Sequence, residues 1–71
     1  MVEIFRTDLR NGSEGNMAIA ILQRLFPKFK ISLDLEDPDR VLRIDSGESR
    51  LPTDSLQLEM ATYGYSATAI D

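Results

Sequence analysis

The sequence predicts an α+β sandwich in which two helices cover one face of a four-stranded antiparallel sheet. Three observations carry this prediction. Alternating apolar and polar residues flank a proline-containing turn in the segment 30–45, which is typical of a β-hairpin. A stripe of apolar residues at helical spacing lies on each side of this segment. Shorter strand-like runs lie near both ends of the chain.

The hairpin is predicted over Lys30–Asp45, with its turn at Asp37-Pro38-Asp39-Arg40. Aspartate and proline favour the first two positions of a type I turn. Pairing Asp37 with Arg40 then sets the register of the two strands. The predicted pairs are Leu35 with Leu42 and Leu33 with Ile44 on the apolar face, and Asp34 with Arg43 on the opposite face.

A first strand is predicted over Val2–Leu9. Its alternation assigns Val2 and Ile4 to one face and Glu3, Phe5 and Thr7 to the other. Asn11-Gly12 breaks this strand. Ser13 is the expected N-cap of the helix that follows, and Glu14 in its first turn complements the positive end of the helix dipole.

Both helices are predicted from their apolar stripes. The first ends near Phe26 because Pro27 restricts the residue before it. Its expected core stripe consists of Ala18, Ile21, Leu22 and Leu25. The second helix begins near Pro52, with Thr53 or Asp54 as its cap. Its expected buried face consists of Leu56, Met60, Ala61 and Tyr63.

Gly64 is expected to end the second helix, and Ser66–Ile70 is expected to form a short final strand. The element order is then β-α-β-β-α-β, and right-handed crossovers place the strands in the order 4-1-3-2. This arrangement is the ferredoxin-like fold, here predicted as a single domain over residues 1–71. Both helices lie on one face of the sheet, so the other face is expected to be open.

Composition excludes several kinds of chemistry. The chain contains neither cysteine nor histidine, so disulfides, thiolate metal sites and imidazole catalysis are ruled out. Its net charge of −4 disfavours binding to nucleic acid. Apolar runs are too short to span a membrane, and no signal-like segment is evident, which predicts a cytoplasmic protein. No cofactor is expected.

The open face of the sheet holds the predicted interaction surface. On the predicted strand order Phe5 neighbours Val41 there, and the two would form a small apolar patch. The candidate surface consists of Phe5, Asp34, Glu36, Val41 and Arg43. Such a surface would serve self-pairing into a homodimer or a basic protein partner. The alternative interpretation is a pair of ordinary exposed apolar side chains.

Three segments resemble the heavy-metal-associated domain family of copper chaperones and metal-transport ATPases. Leu25–Ile31 is similar to the family's helix-to-strand corner, Ser32–Glu36 to its second strand, and Tyr63–Ala67 to the glycine-tyrosine step after its second helix. The family binds a soft ion such as Cu(I) through Met-x-Cys-x-x-Cys in the loop after the first strand. The corresponding stretch Thr7–Asn16 contains no sulfur, so the resemblance implies a member that lacks the metal motif.

Residues of the sequence also suggest three other kinds of site. The acidic residues around Pro38 suggest a calcium loop, but they lack its glycine bend. Gly12–Gly15 at a helix start suggests an anion cradle, but Glu14 places a negative charge inside it. Acylphosphatases share this fold and use an arginine and an asparagine in the loop where Arg10 and Asn11 lie.

The sequence therefore predicts a small non-catalytic interaction or regulatory module without a metal site. Two alternatives stay open. One is a metal-handling protein similar to copper or zinc chaperones, as the family resemblance implies. The other is a small acylphosphatase-like hydrolase that would use Arg10.

Overall fold

The computed structural model describes residues 1–70 and contains the six predicted elements in the predicted order. Their bounds are β1 Val2–Thr7, α1 Gly12–Leu25, β2 Lys30–Asp34, β3 Val41–Asp45, α2 Thr53–Thr62 and β4 Ala67–Ala69. The strands form one antiparallel sheet in the order β2-β3-β1-β4, which confirms the ferredoxin-like fold. Neither helix among these residues has the length and apolar character needed to cross a membrane.

The core lies between the helices and the sheet face that they cover. Its largest fully buried side chains come from both layers: Phe5, Leu9, Leu22, Leu42, Ile44, Leu56 and Met60. Half-buried side chains of Phe26, Phe29, Ile31, Leu33, Leu35 and Tyr65 pack around them. Burial of these apolar side chains supplies most of the stabilisation of a domain of this size.

The faces of β1 are the reverse of those predicted. Phe5 is fully buried and pairs with Leu42 on β3 and Ala69 on β4, so it points toward the helices and not toward the open face. Val2 and Ile4 therefore point to the open face. The physical reason is that both faces of β1 carry apolar residues, and an aromatic ring gains more from burial than valine or isoleucine does.

The hairpin is confirmed, but its register differs from the predicted one by two residues. Leu33 pairs with Leu42, and Ile31 pairs with Ile44. The predicted pair of Asp34 with Arg43 is replaced by pairs of Asp34 with Val41 and of Ser32 with Arg43. Because the shift is an even number of residues, every apolar side chain stays on the predicted face.

A side-chain turn at Asp34 causes the register shift. The Asp34 carboxylate accepts hydrogen bonds from the backbone N–H of Glu36 at 3.0 Å and of Asp37 at 3.3 Å, which bends the chain out of β2. The predicted turn does form, since the N–H of Arg40 donates to the carbonyl of Asp37 at 2.9 Å. Arg40 then has a φ of 51°, in the left-handed region. β2 thus ends at Asp34, before the turn, whereas β3 begins at Val41, directly after it.

Helix α1 begins earlier than predicted, and its N-cap is Asn11 instead of Ser13. The Oδ1 atom of Asn11 accepts a hydrogen bond from the N–H of Glu14 at 2.9 Å. The buried line of the helix is Gly15, Ala18 and Leu22, whereas Ile21 is only half-buried and Leu25 is 45% exposed. The expected stripe is therefore rotated toward Gly15.

Close packing at Gly15 explains this rotation. A Cβ atom on this residue would lie 2.6 Å from Cδ2 of Leu33, so any larger residue would have to displace the Leu33 side chain or move α1 away from β2. Gly12 in the same turn has open space around it. The absence of a side chain, which the pattern of apolar residues does not reveal, therefore favours this orientation of the helix.

Helix α2 buries Leu56 and Met60 as predicted, but Ala61 and Tyr63 are exposed. Its N-cap is Pro52, without a side-chain hydrogen bond, so neither Thr53 nor Asp54 caps it. The prediction at the other end is confirmed. Gly64 has a φ of 86°, and the N–H groups of Gly64 and Tyr65 donate to Ala61 and Met60. Tyr63 is exposed because the helix ends just before it.

Candidate interaction surface

The helices cover one face of the sheet and leave the other face open. Ladder pairs share a face, so the register places Val2, Ile4 and Arg6 of β1 on it, together with Val41, Arg43 and Asp45 of β3 and Lys30, Ser32 and Asp34 of β2. Ile70 joins them beside Ile4, because its N–H donates to the carbonyl of Ile4 at 2.8 Å.

The apolar centre of this face is made by Val2, Ile4, Val41 and Ile70, which we call the open-face patch. Val2 is 47% exposed and Ile4 is 40% exposed, while Val41 and Ile70 are half-buried. Ile4 lies at the middle of the patch, opposite Ile70 and one diagonal step from Val41. Its cross-strand partner on β3 is the exposed Arg43.

Of the five residues predicted for this surface, three lie on it. Val41, Arg43 and Asp34 point to the open face, but Phe5 is in the core and Glu36 lies in the loop beyond the end of β2. Val2, Ile4, Arg6 and Ile70 are the members missed. The alternation of the sequence places Val2 and Ile4 on one face of the strand, but Phe5 makes the other face apolar as well, so the alternation did not decide which face is open.

Charged side chains of both signs surround the open-face patch. Three cations and two carboxylates occupy the face: Arg6, Lys30, Arg43, Asp34 and Asp45. Glu3 pairs with Ile44 and so lies on the helix side of the sheet, away from these charges. A backbone hydrogen bond from Gly47 lowers the pKa of Asp45, and the nearby positive charges of the N-terminus, Arg43 and Lys30 add to this. Arg6 forms an exposed ion pair with Asp39 at 3.5 Å.

The loop after β1, where the metal and phosphate hypotheses would place their ligands, is internally paired. The guanidinium of Arg10 contacts the Glu14 carboxylate at 2.7 Å, and the backbone N–H of Arg10 donates to the same carboxylate at 2.8 Å. This is a variant of the capping box in which the Glu14 carboxylate accepts the N–H of Arg10, the residue before the N-cap, instead of that of the N-cap itself. The hydrogen bond and charge of Arg10 lower the pKa of Glu14.

Replacing Arg10 by methionine is therefore expected to raise the pKa of Glu14 toward its ordinary value. A carboxyl pKa that is lower in the folded state stabilises the protein above the unfolded-state pKa, and this stabilisation is lost as the pH falls through the folded-state pKa. The variant should accordingly lose less stability on acidification than the wild type. A carbon-detected NMR titration of the Glu14 carboxyl measures the shift, with Arg24→Met as the control. An unchanged Glu14 pKa in Arg10→Met would contradict the pairing.

The same loop is fastened to the rest of the fold at several points. The hydroxyl of Thr7 donates to the carbonyl of Arg40 at 2.7 Å, and the Arg40 guanidinium donates to the carbonyl of Leu9 at 2.8 Å. The Asp8 carboxylate accepts the N–H of Ser66 at 2.8 Å. The polar groups of this loop thus hold β1, the hairpin loop and the segment before β4 together.

The carboxylates at the hairpin tip also bond to the backbone. Asp34 accepts two N–H groups, as described above, and Asp37 accepts the N–H of Asp39 at 2.8 Å. Among residues 1–70 no group of three or more acidic side chains is arranged to hold a metal ion. These aspartates shape the turn, as Asx residues commonly do.

A shallow groove of about 150 Å³ lies on the opposite side of the molecule, between the two helices. It is lined by Ile21, Arg24, Leu25, Glu59 and Tyr63. Met17 lies one turn before Ile21 on α1 and is also exposed. The groove offers an apolar floor with one charge of each sign.

Neither a protein-family model, nor a curated protein, nor a solved structure matches this chain. The similarity to heavy-metal-associated domains rests on the segments Leu25–Ile31, Ser32–Glu36 and Tyr63–Ala67 and stays a prediction. What the geometry contributes is the fold, an open sheet face with an apolar centre, and a first loop whose charged groups pair with one another.

Proposed function

We propose that this chain is a small non-catalytic interaction module that binds a protein partner through the open face of its sheet. The observation that carries the proposal is the exposure of Val2 and Ile4 in a strand that runs through the interior of the sheet. An apolar centre on an otherwise polar sheet face is typical of a contact surface.

The charges around the open-face patch favour one class of partner. The strand side chains of this face carry a net charge of +1, from three cations and two carboxylates, although the whole chain carries −4. One of the cations, Arg6, is paired with Asp39, which leaves Lys30 and Arg43 as the cations available to a partner. Arg43 lies beside Ile4 at the centre, and arginine next to apolar side chains is a frequent contributor to binding energy. We therefore propose a protein partner that presents apolar side chains surrounded by carboxylates.

The pairing in the first loop supports a non-catalytic role. Arg10 is engaged by Glu14, and the side-chain oxygen of Asn11 caps α1, so both residues of the acylphosphatase hypothesis have structural roles. The segment Thr7–Asn16 offers no thiol for the metal hypothesis. Binding through the open face requires neither a free Arg10 or Asn11 nor a thiol.

Replacing Ile4 by aspartate tests the proposal. The variant is expected to remain folded, because Ile4 is 40% exposed, and to bind the partner at least about tenfold more weakly, because it places a charge in the centre of the interface. Leu58→Asp is the control, since Leu58 is 71% exposed on α2, away from the sheet. Circular dichroism checks the folding of both variants.

The partner is captured on immobilised wild-type protein and identified by mass spectrometry. It is then titrated by calorimetry against the wild type and the three variants Ile4→Asp, Leu58→Asp and Arg43→Glu. Support requires a partner whose binding survives Leu58→Asp, weakens in Ile4→Asp and weakens again in Arg43→Glu. If every captured protein binds Ile4→Asp as tightly as the wild type, the open face is not the contact surface.

A further inference from the structure

Strand β2 forms one edge of the sheet, so one side of its backbone has no neighbouring strand. The ladder shows which residues face that side. Ser46 N–H donates to the carbonyl of Met1 at 2.9 Å, in register with the pairs of β1 and β3, so Ile44 and Leu42 direct their backbone groups toward β1. The alternate residues of β3 direct theirs toward β2.

Lys30, Ser32 and Asp34 receive these bonds, since they pair with Asp45, Arg43 and Val41. The intervening residues Ile31 and Leu33 therefore direct their N–H and C=O groups outward. No loop or side chain of residues 1–70 bonds to these outward groups. The next residue of the same parity, Phe29, is different, because its carbonyl accepts the Gln23 amide at 2.8 Å. The free part of the edge is thus centred on Ser32.

The sequence of this edge, Lys-Ile-Ser-Leu-Asp, complements itself when two copies run antiparallel. With a two-fold axis at Ser32, Lys30 of one copy faces Asp34 of the other on the open face, and Ile31 faces Leu33 on the helix side. The outward backbone groups also match, because Ile31 and Leu33 would form the hydrogen-bonded pairs and Ser32 the non-hydrogen-bonded pair. Charge, apolar pairing and backbone parity agree on this single register.

We infer that β2 binds β2 of a second copy of this chain, forming a two-fold dimer with one continuous eight-stranded sheet. The half-buried side chains of Ile31 and Leu33 lose further exposure in this pairing. An uncovered edge strand is a ready template for such addition. The dimer places two open-face patches on the same side of one sheet, yet it uses residues outside the open-face patch and does not depend on the proposed partner.

A cysteine at the two-fold position reports the pairing directly. The chain has no cysteine, so Ser32→Cys introduces a single thiol. Residues opposite each other in a non-hydrogen-bonded pair have Cα atoms about 4.5 Å apart, at the short end of the range that a disulfide spans. Under mild oxidation this variant is expected to form a disulfide-linked dimer of the 8.0 kDa chain at least about tenfold faster than Thr68→Cys. Thr68 is the matched control because it is exposed at the middle of the other edge strand.

Charge reversal tests the register. In the Ser32→Cys background, Lys30→Asp and Asp34→Lys each set like charges opposite one another in both pairs, so each alone is expected to cross-link about tenfold more slowly. A mixture of the two variants restores both opposite-charge pairs, and mass spectrometry should detect the mixed dimer at close to the original rate. Cross-linking of Ser32→Cys no faster than Thr68→Cys overturns the inference. So does a mixture that shows no preference for the mixed dimer.

Discussion

Replacing Phe5 by alanine is expected to destabilise the domain by about 3–5 kcal/mol, which is a large part of the stability of a small domain. Phe5 has no exposed surface and lies between Leu42 and Ala69 in the sheet. Truncation removes its transfer energy and leaves a cavity that these neighbours can fill only in part. Chemical denaturation followed by circular dichroism measures the change in the free energy of unfolding.

Ile4→Ala is the control for this prediction, since it shortens an apolar side chain on the other face of the same strand. Ile4 is 40% exposed, so this change should cost less than about 1 kcal/mol. Equal losses in the two variants would mean that the faces of β1 are not divided as described. Phe5→Asp should lower the free energy of unfolding even more, because it buries a carboxylate. If Phe5 lay on the open face, as the sequence predicted, this variant would stay folded.

Which face of β1 is buried, that of Phe5 or that of Ile4, is a part of the fold that the sequence did not predict correctly. Element order, the Asp37–Arg40 turn and the glycine at position 64 were predictable, because periodicity and turn chemistry are local properties. The orientation of β1 was not, since both of its faces carry apolar residues and only the space beneath the helices decides between them.

The hairpin register failed for a different reason. The turn residues were interpreted correctly, but the Asp34 carboxylate bonds to the backbone of Glu36 and Asp37 and ends β2 early. Side-chain bonds of this kind compete with the strand ladder and leave no trace in the alternation of apolar residues. The predicted register differed from the observed one by two residues, an even number. The apolar faces were therefore predicted correctly, while the charged cross-strand pairs were wrong.

The errors in the predicted surface follow from the reversed orientation of β1. Val41, Arg43 and Asp34 were placed correctly because β2 and β3 alternate cleanly, whereas the strand with two apolar faces exchanged Phe5 for Ile4. The exchange also changed the partner proposed, from basic to acidic, because Glu3 moved to the helix side along with Phe5.

Leu22→Ala is the second change with a large expected effect, a loss of about 2–5 kcal/mol in the free energy of unfolding. Leu22 is fully buried on α1, in line with Ala18 and Gly15. Leu25→Ala is the matched control, because it removes the same atoms from the same helix at a side chain that is 45% exposed. Sequence periodicity treats the two leucines alike, whereas the close approach of α1 to β2 at Gly15 buries only the first.

Urea denaturation of both variants separates the two descriptions of α1. The rotated helix predicts a large decrease in midpoint for Leu22→Ala and a decrease of less than about 1 kcal/mol in unfolding free energy for Leu25→Ala, with unchanged slopes. If Leu25→Ala is as damaging as Leu22→Ala, the helix is not rotated toward Gly15. The groove beside Leu25 would then belong to the core rather than to the surface.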